Sequence, residues 1–235
     1  MSKTQLRSTN DAKPKRVALL GATGAYGNGV FRRAVAIGVE VVAIVRNPDK
    51  LKLPESVKNV TVVKAELDDV DLLTEAFRGV DGVISGLSMG VKAKRGAFSP
   101  KSKNVNIFKA MKAAGVRKFV VVSGASSPVP GEWKSPDAWL RYGISHLILP
   151  RGLIKENIAE SKALFNGKNG SDELEWVIVR AARVNTDRPY IGAEISERGL
   201  VSFIVGAEDV GDFCLFAVAS DEYDGKAPYV GSRAT

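Results

Sequence analysis

Two residue types that build many catalytic and metal sites are almost missing from this 235-residue chain, which has one cysteine, Cys214, and one histidine, His146. A lone cysteine excludes an intrachain disulfide and points to a reducing, cytoplasmic setting. Zinc held by several cysteines or histidines is excluded too, so no metal is expected, and a Ser-His-Asp triad would rest wholly on His146. No uncharged apolar run approaches the roughly 18 residues that a membrane helix needs, so no membrane is expected as a partner. Residues 1–15 are polar and basic without the apolar segment of a secretory signal, and are expected to form a flexible tail. Acidic residues are outnumbered, 26 against 34 Lys and Arg, which leaves a formal net charge of +8. Nucleic acid is the partner such a balance suggests first. The cations at Lys50, Lys52, Lys92, Lys94, Arg95, Lys101 and Lys103 are scattered, however, with no interleaved aromatics and no zinc or RNP pattern. A solvated basic surface that favours small anions fits them better than nucleic-acid binding.

What is present is an alternation. Short apolar runs at Arg16–Leu20, Val39–Val45, Val60–Lys64, Gly82–Ser85, Lys118–Ser123 and Trp176–Arg180 have the composition of buried parallel strands. Between them, Val70, Leu73, Ala76 and Phe77 share a helix face, as do Val105, Phe108, Met111 and Ala114, with Gly115 placed to end the second helix in a left-handed turn. Strands alternating with helices predict an α/β fold: a Rossmann-like, doubly wound parallel sheet in a single domain over residues 16–235. No internal repeat or low-complexity tract interrupts it. The alternation breaks once, over residues 124–155, where Pro128, Pro130, Gly131, Pro136 and Pro150 stand among Trp133, Trp139 and Tyr142. A long irregular stretch leaving a strand's carboxyl end suits a substrate lid, and a plain surface insertion is the alternative.

The strongest motif is Gly21-Ala22-Thr23-Gly24-Ala25-Tyr26-Gly27, set between the first strand and a helix. Its first glycine permits a tight turn, its second lets the backbone approach a pyrophosphate, and its third allows close helix–strand contact. The amide end of the helix that follows would face the phosphates. Glycines so spaced also occur in ordinary βα turns, but their place after the first strand of a βα series makes dinucleotide binding the stronger reading. A ribose-binding acid is expected about 20 residues further on. Arg46 stands there instead, followed by Asn47-Pro48-Asp49-Lys50. A guanidinium at that point suits a 2′-phosphate, and Lys50 adds a second cation, so NADP(H) is preferred over NAD(H). The alternative for Arg46 is a surface arginine in a proline turn. The tyrosines are Tyr26, Tyr142, Tyr190, Tyr223 and Tyr229, and four residues on stand Val30, His146, Glu194, Ala227 and Arg233. No tyrosine therefore has the lysine that ordinary short-chain dehydrogenases use to activate it.

Taken together, the glycine motif, Val45-Arg-Asn-Pro-Asp-Lys, Ala65-Glu-Leu-Asp-Asp and Gly115-Val-Arg-Lys-Phe-Val-Val-Val-Ser resemble the atypical, NmrA-like branch of the short-chain dehydrogenase superfamily. Within it the chain is most similar to the flavin reductase/biliverdin-IXβ reductase type, through Arg188-Pro-Tyr-Ile-Gly, Ala207-Glu-Asp-Val-Gly-Asp-Phe and Asp221-Glu-Tyr-Asp-Gly. The resemblance runs from about Arg16 to the end. It implies that Gly21, Thr23, Gly24, Ala25, Tyr26 and Gly27 hold the pyrophosphate, with Arg46 and Lys50 facing the 2′-phosphate. It places Glu66 and Leu67 beside the adenine, Leu87 and Ser88 beside the diphosphate and nicotinamide ribose, and Ser123, Gly124 and Ala181 near the nicotinamide. Flavin reductases of this kind commonly carry Thr-Ser where this chain has Ser123-Gly124. Ala181-Ala182 replace a proline-rich turn, and Arg183 stands where a pocket histidine is usual.

Ser123 is the candidate catalytic residue, with a strand-capping role as its equal alternative, and Arg183 and Trp133 are the candidate substrate residues. Asp209 is read as an acid favourable to a helix amino end, and Cys214 as core. The function expected is NADPH-dependent hydride transfer to a flavin or similar planar conjugated acceptor, with the protein mainly holding two rings face to face. Such a reaction needs no strong acid, which fits the absent tyrosine–lysine pair. The alternative is a non-catalytic NADP(H)-binding redox sensor of the NmrA-like type.

Overall fold

Each of the six apolar runs forms a strand. The computed structural model describes residues 4–5, 13–51, 53, 56–87, 100–125, 127, 129–130, 151–197 and 199–233. The strands are Thr4–Gln5 (β1), Arg16–Leu20 (β2), Glu40–Val45 (β3), Val60–Lys64 (β4), Gly82–Ser85 (β5), Lys118–Gly124 (β6), Glu175–Ala181 (β7), Arg183–Asn185 (β8), Ala193–Ser196 (β9), Ile204–Gly206 (β10) and Tyr229–Ser232 (β11). The helices are Ala25–Ala36 (α1), Val70–Phe77 (α2), Pro100–Ala114 (α3), Arg151–Phe165 (α4) and Ala207–Ala219 (α5).

One nine-stranded sheet has the order β1-β9-β11-β7-β6-β5-β2-β3-β4. From β4 to β11 every neighbouring pair is parallel, and β9 then runs antiparallel to both β11 and β1. The chain leaves β2 toward β3 on one side and returns to β5 on the other, so the doubly wound order reverses between β2 and β5. In such sheets the crevice at the carboxyl ends of the strands on either side of the reversal is where ligands bind. The expected Rossmann-like fold is the fold observed.

The sheet is covered on both faces, which explains why its inner strands are continuously apolar. On one face Leu19, Val120 and Val177 pack with Val30 of α1 and Phe213 of α5. On the other Leu20, Val121 and Ile178 pack with Leu73 and Phe77 of α2 and with Ile107 and Met111 of α3. Gly115 closes α3 with φ +74°, and Val116 N–H donates back to Met111 O at 2.9 Å. Cys214 lies fully inside the core, where burial, helped by the Asp212 carboxylate, pushes its thiol far up.

Strands β8 to β11 have no counterpart in the sequence reading, because three- and four-residue strands flanked by turns carry too little periodicity to recognise. Within the amino-terminal segment, Thr4–Gln5 pairs antiparallel with β9 at the edge of the sheet. An edge strand exposes unpaired N–H and C=O groups, which any extended segment can satisfy.

Candidate functional site

The crevice between β2 and β5 is lined by backbone brought unusually close. Gly21 turns the chain with φ +81°, a left-handed value that side chains disfavour, and Gly24 N–H donates to Gly21 O at 2.9 Å. A methyl group at Gly27 would lie 2.1 Å from Gly21 O, so the first turn of α1 rests on the glycine turn with no room for a side chain. Gly86, just past β5, completes the cradle: its own methyl would fall 2.6 Å from Gly27 N. The sequence reading missed Gly86, although a glycine one residue beyond a strand was the available signal.

Helix α1 begins at Gly24 with no side-chain cap and no acidic residue in its first turn. Its leading amides are therefore left for a ligand, and the helix dipole favours an anion there. Thr23, Gly24 and Ala25 are exposed around this end, while Tyr26 packs against the core and burial pushes its phenol up. The site thus offers a shallow rim of backbone donors to a pyrophosphate, and the residues present fit a dinucleotide.

At the end of β3, Asn47 accepts a hydrogen bond from Asp49 N–H at 3.0 Å and sets up the short helical turn Pro48–Lys50. Arg46 and Lys50 flank this turn, both exposed and neither in an ion pair with a described residue. Glu66 is exposed beyond the end of β4. Leu67 is buried in the cluster with Leu73 and Ile107, and its carbonyl accepts from Asn106 Nδ2 at 3.2 Å. Leu87 is half-buried beside Gly86. Ser88, Trp133, Trp139, Tyr142 and most of the expected lid lie outside the described residues.

The far end of the crevice is formed by β6 and β7. Ser123 and Gly124 stand opposite Arg180 and Ala181, and Ala125 N–H donates to Ala181 O at 2.8 Å. The Ser123 and Ser127 hydroxyls are 2.7 Å apart and both residues are buried. Ser127 was not singled out from the sequence, because a serine in a short turn after a strand carries no distinguishing spacing. Ala181 is buried, whereas Arg183 is exposed on β8 and donates its N–H to Phe203 O at 3.2 Å. The structure therefore brings Ser123, Gly124 and Ala181 together and leaves the Arg183 side chain outside that cluster.

Asp209 does more than face a helix dipole. It is fully buried, accepts from Ile191 N–H at 3.0 Å and Gly192 N–H at 2.8 Å, and takes the Ser232 hydroxyl at 2.5 Å. Nearby, Arg33 of α1 meets Asp212 at 2.6 Å, and the Tyr190 hydroxyl donates to the same carboxylate at 3.1 Å. Burial, and then the Asp212 charge, raise the Tyr190 phenol. Among the described residues no cluster of His, Cys, Asp and Glu could hold a metal ion, and no helix is long and apolar enough to cross a membrane.

This geometry defines an α/β protein with a dinucleotide crevice. The sequence profile of the NAD(P)H-binding family matches residues 21–221, and the chain belongs to that family. A phenylcoumaran benzylic ether reductase of Ginkgo biloba is 34% identical over 113 residues, which cover 45% of this chain and 34% of that protein. The chain thus matches about a third of the length of this relative. Among solved structures, a short-chain dehydrogenase/reductase of Veillonella parvula in complex with NADP superposes with a TM-score of 0.70 at 18% identity, covering 94% of this chain and 96% of that one. A candidate NADH-flavin reductase of Streptococcus pneumoniae gives 0.68 at 18% identity, covering 93% and 100%. At such identities the likeness is one of fold.

Proposed function

We propose that the protein is an oxidoreductase that uses NADPH to reduce a flavin or another planar conjugated acceptor. The observation that carries the cofactor choice is the exposed pair Arg46 and Lys50 in the turn after β3, with Arg46 in place of a carboxylate at the first position beyond the strand. A planar guanidinium fork and an ammonium four residues away suit a 2′-phosphate. When bound, the nicotinamide supplies hydride. The chain's part is to bind and orient: the α1 amides and the glycine cradle take the diphosphate, and Ser123, Gly124 and Ala181 border the ring.

The absence of the tyrosine–lysine pair suits an acceptor whose reduction needs no strong acid, and the flavin-reductase-like and ether-reductase relatives support a reductase. Holding two rings in contact is itself a large source of rate. Mixing the purified chain with NADPH and flavin mononucleotide and following NADPH absorbance tests the reading. Steady, protein-dependent NADPH loss is expected. Tight NADPH binding without any loss, across flavins and quinones, would overturn it in favour of an NADP(H)-binding sensor. That second reading draws on one observation, the burial of the Ser123–Ser127 pair.

A further inference from the structure

Strand β4 ends the nine-stranded sheet, with β3 on one side and no described strand on the other. Asn59 O accepts from Val41 N–H, and Ala65 N–H donates to Val45 O. Every second residue of a parallel strand bonds to the same neighbour, so Asn59, Thr61, Val63 and Ala65 turn their backbone groups toward β3. Val60, Val62 and Lys64 therefore turn their N–H and C=O groups outward, and no described backbone group bonds to them. Val60, Val62 and Val63 are half-buried, so each still shows apolar surface at this margin. The strand is rich in β-branched residues, has no proline, and carries one charge, Lys64. Such an edge is a template for a further strand.

We infer that β4 pairs antiparallel with β4 of a second copy of this chain, about a two-fold axis through Val62. The outward groups meet that symmetry without a gap. Val62 exchanges two hydrogen bonds with its equivalent, and Val60 does so with the partner's Lys64. The flanking charges single out this occupant and this direction. Lys58 and Glu66 stand four residues to either side of Val62, both exposed and neither in an ion pair with a described residue. Antiparallel pairing brings Lys58 to the end of the ladder where the partner's Glu66 stands, and does so twice. Parallel pairing in register would set like charges side by side, which is unfavourable. Five residues make a small contact, so the dimer is a weak one that forms at micromolar concentrations. It requires neither cofactor nor turnover and stands or falls separately from the reductase reading.

Sedimentation equilibrium of the full chain, from about 1 to 500 µM and without cofactor, tests it. A reversible equilibrium between monomer and dimer is expected. Val62→Pro removes an outward N–H and none that β3 uses, and edge strands tolerate proline at such a position. It is expected to weaken the dimer about 30-fold or more, as loss of the two central hydrogen bonds implies. Lys58→Glu turns two attractive pairs into repulsive ones and is expected to weaken the dimer about tenfold. Adding Glu66→Lys to Lys58→Glu exchanges the charges and should restore the original affinity. A chain that stays monomeric throughout, a dimer unchanged in folded Val62→Pro, a dimer indifferent to Lys58→Glu, or a charge exchange that restores nothing would each overturn the inference. The charge exchange decides alone where circular dichroism shows that Val62→Pro fails to fold.

Discussion

The cofactor end of the crevice and the margin of the fold beyond β7 are held by different forces. At the cofactor end, Gly21, Gly27 and Gly86 bring backbone against backbone, and a methyl group at Gly27 or Gly86 would overlap its neighbour. At the margin, where β8 to β11 gather, buried side chains make the joins. Asp209 ties residues 191 and 192 to Ser232, and Ser232 in turn accepts from Gly206 N–H at 2.8 Å. The first arrangement excludes side chains, and the second depends on a few of them. Helices α1 and α5 connect the two: a methyl at Gly29 would lie 2.1 Å from Ala207 O, so the two helices touch through backbone.

The largest expected effect is at the side-chain end. Asp209→Ala leaves the buried Gly192 N–H and the buried Ser232 hydroxyl without their acceptor, and each unsatisfied buried group costs about 1–3 kcal/mol. Losses of about 2–6 kcal/mol are expected in urea denaturation. A loss below about 1 kcal/mol would mean that water or another acceptor replaces the carboxylate as well.

Gly27→Ala probes the backbone end. Overpacking of this kind costs about 1–3 kcal/mol and sometimes more, and the displaced turn should also weaken NADPH. Gly38→Ala sharpens the contrast, since Gly38 has φ +74° but no atom within 4 Å of the added methyl. It should cost about 1–2 kcal/mol through backbone strain alone and leave NADPH binding intact. If both variants weaken NADPH equally in titration calorimetry, contact at the cradle is not what shapes the site.

Arg46→Ala is expected to weaken NADPH by about 10- to 150-fold, the equivalent of one charged hydrogen bond, while NADH affinity barely changes. Titration of both cofactors against both proteins checks this. Equal weakening of the two, or equal affinity of the unaltered chain for both, would make Arg46 a surface residue and remove the NADPH preference.

The smallest effect is assigned to Ser123→Ala, expected to slow turnover by less than about tenfold because ring positioning supplies most of the rate. A fall beyond the roughly 10⁴-fold upper range of general acid–base catalysis would make Ser123 a proton donor. Its buried partner Ser127 would also lose a hydrogen bond, so stability should drop by about 0.5–1.5 kcal/mol.

The inner strands β3, β2, β5, β6 and β7 were legible, because a strand covered on both faces must be apolar throughout and says so in its sequence. The glycine cradle was legible for a related reason: only glycine permits such approach, so Gly21, Gly24 and Gly27 mark their own geometry. Arg46 could be placed because strand β3 ends where its apolar run ends. The partners of Asp209 and Arg180 lie far along the chain. Ser232 lies 23 residues from Asp209, and Ala227 lies 47 from Arg180. A polar residue's sequence neighbours do not reveal whether it will be buried or what will satisfy it. By itself, the sequence determined the parallel sheet and the tight glycine turn, where local pattern and physical requirement coincide. Tertiary structure alone decided the antiparallel margin and the buried carboxylate clamp, because buried polar groups draw their stability from partners that only the folded chain brings within hydrogen-bonding distance.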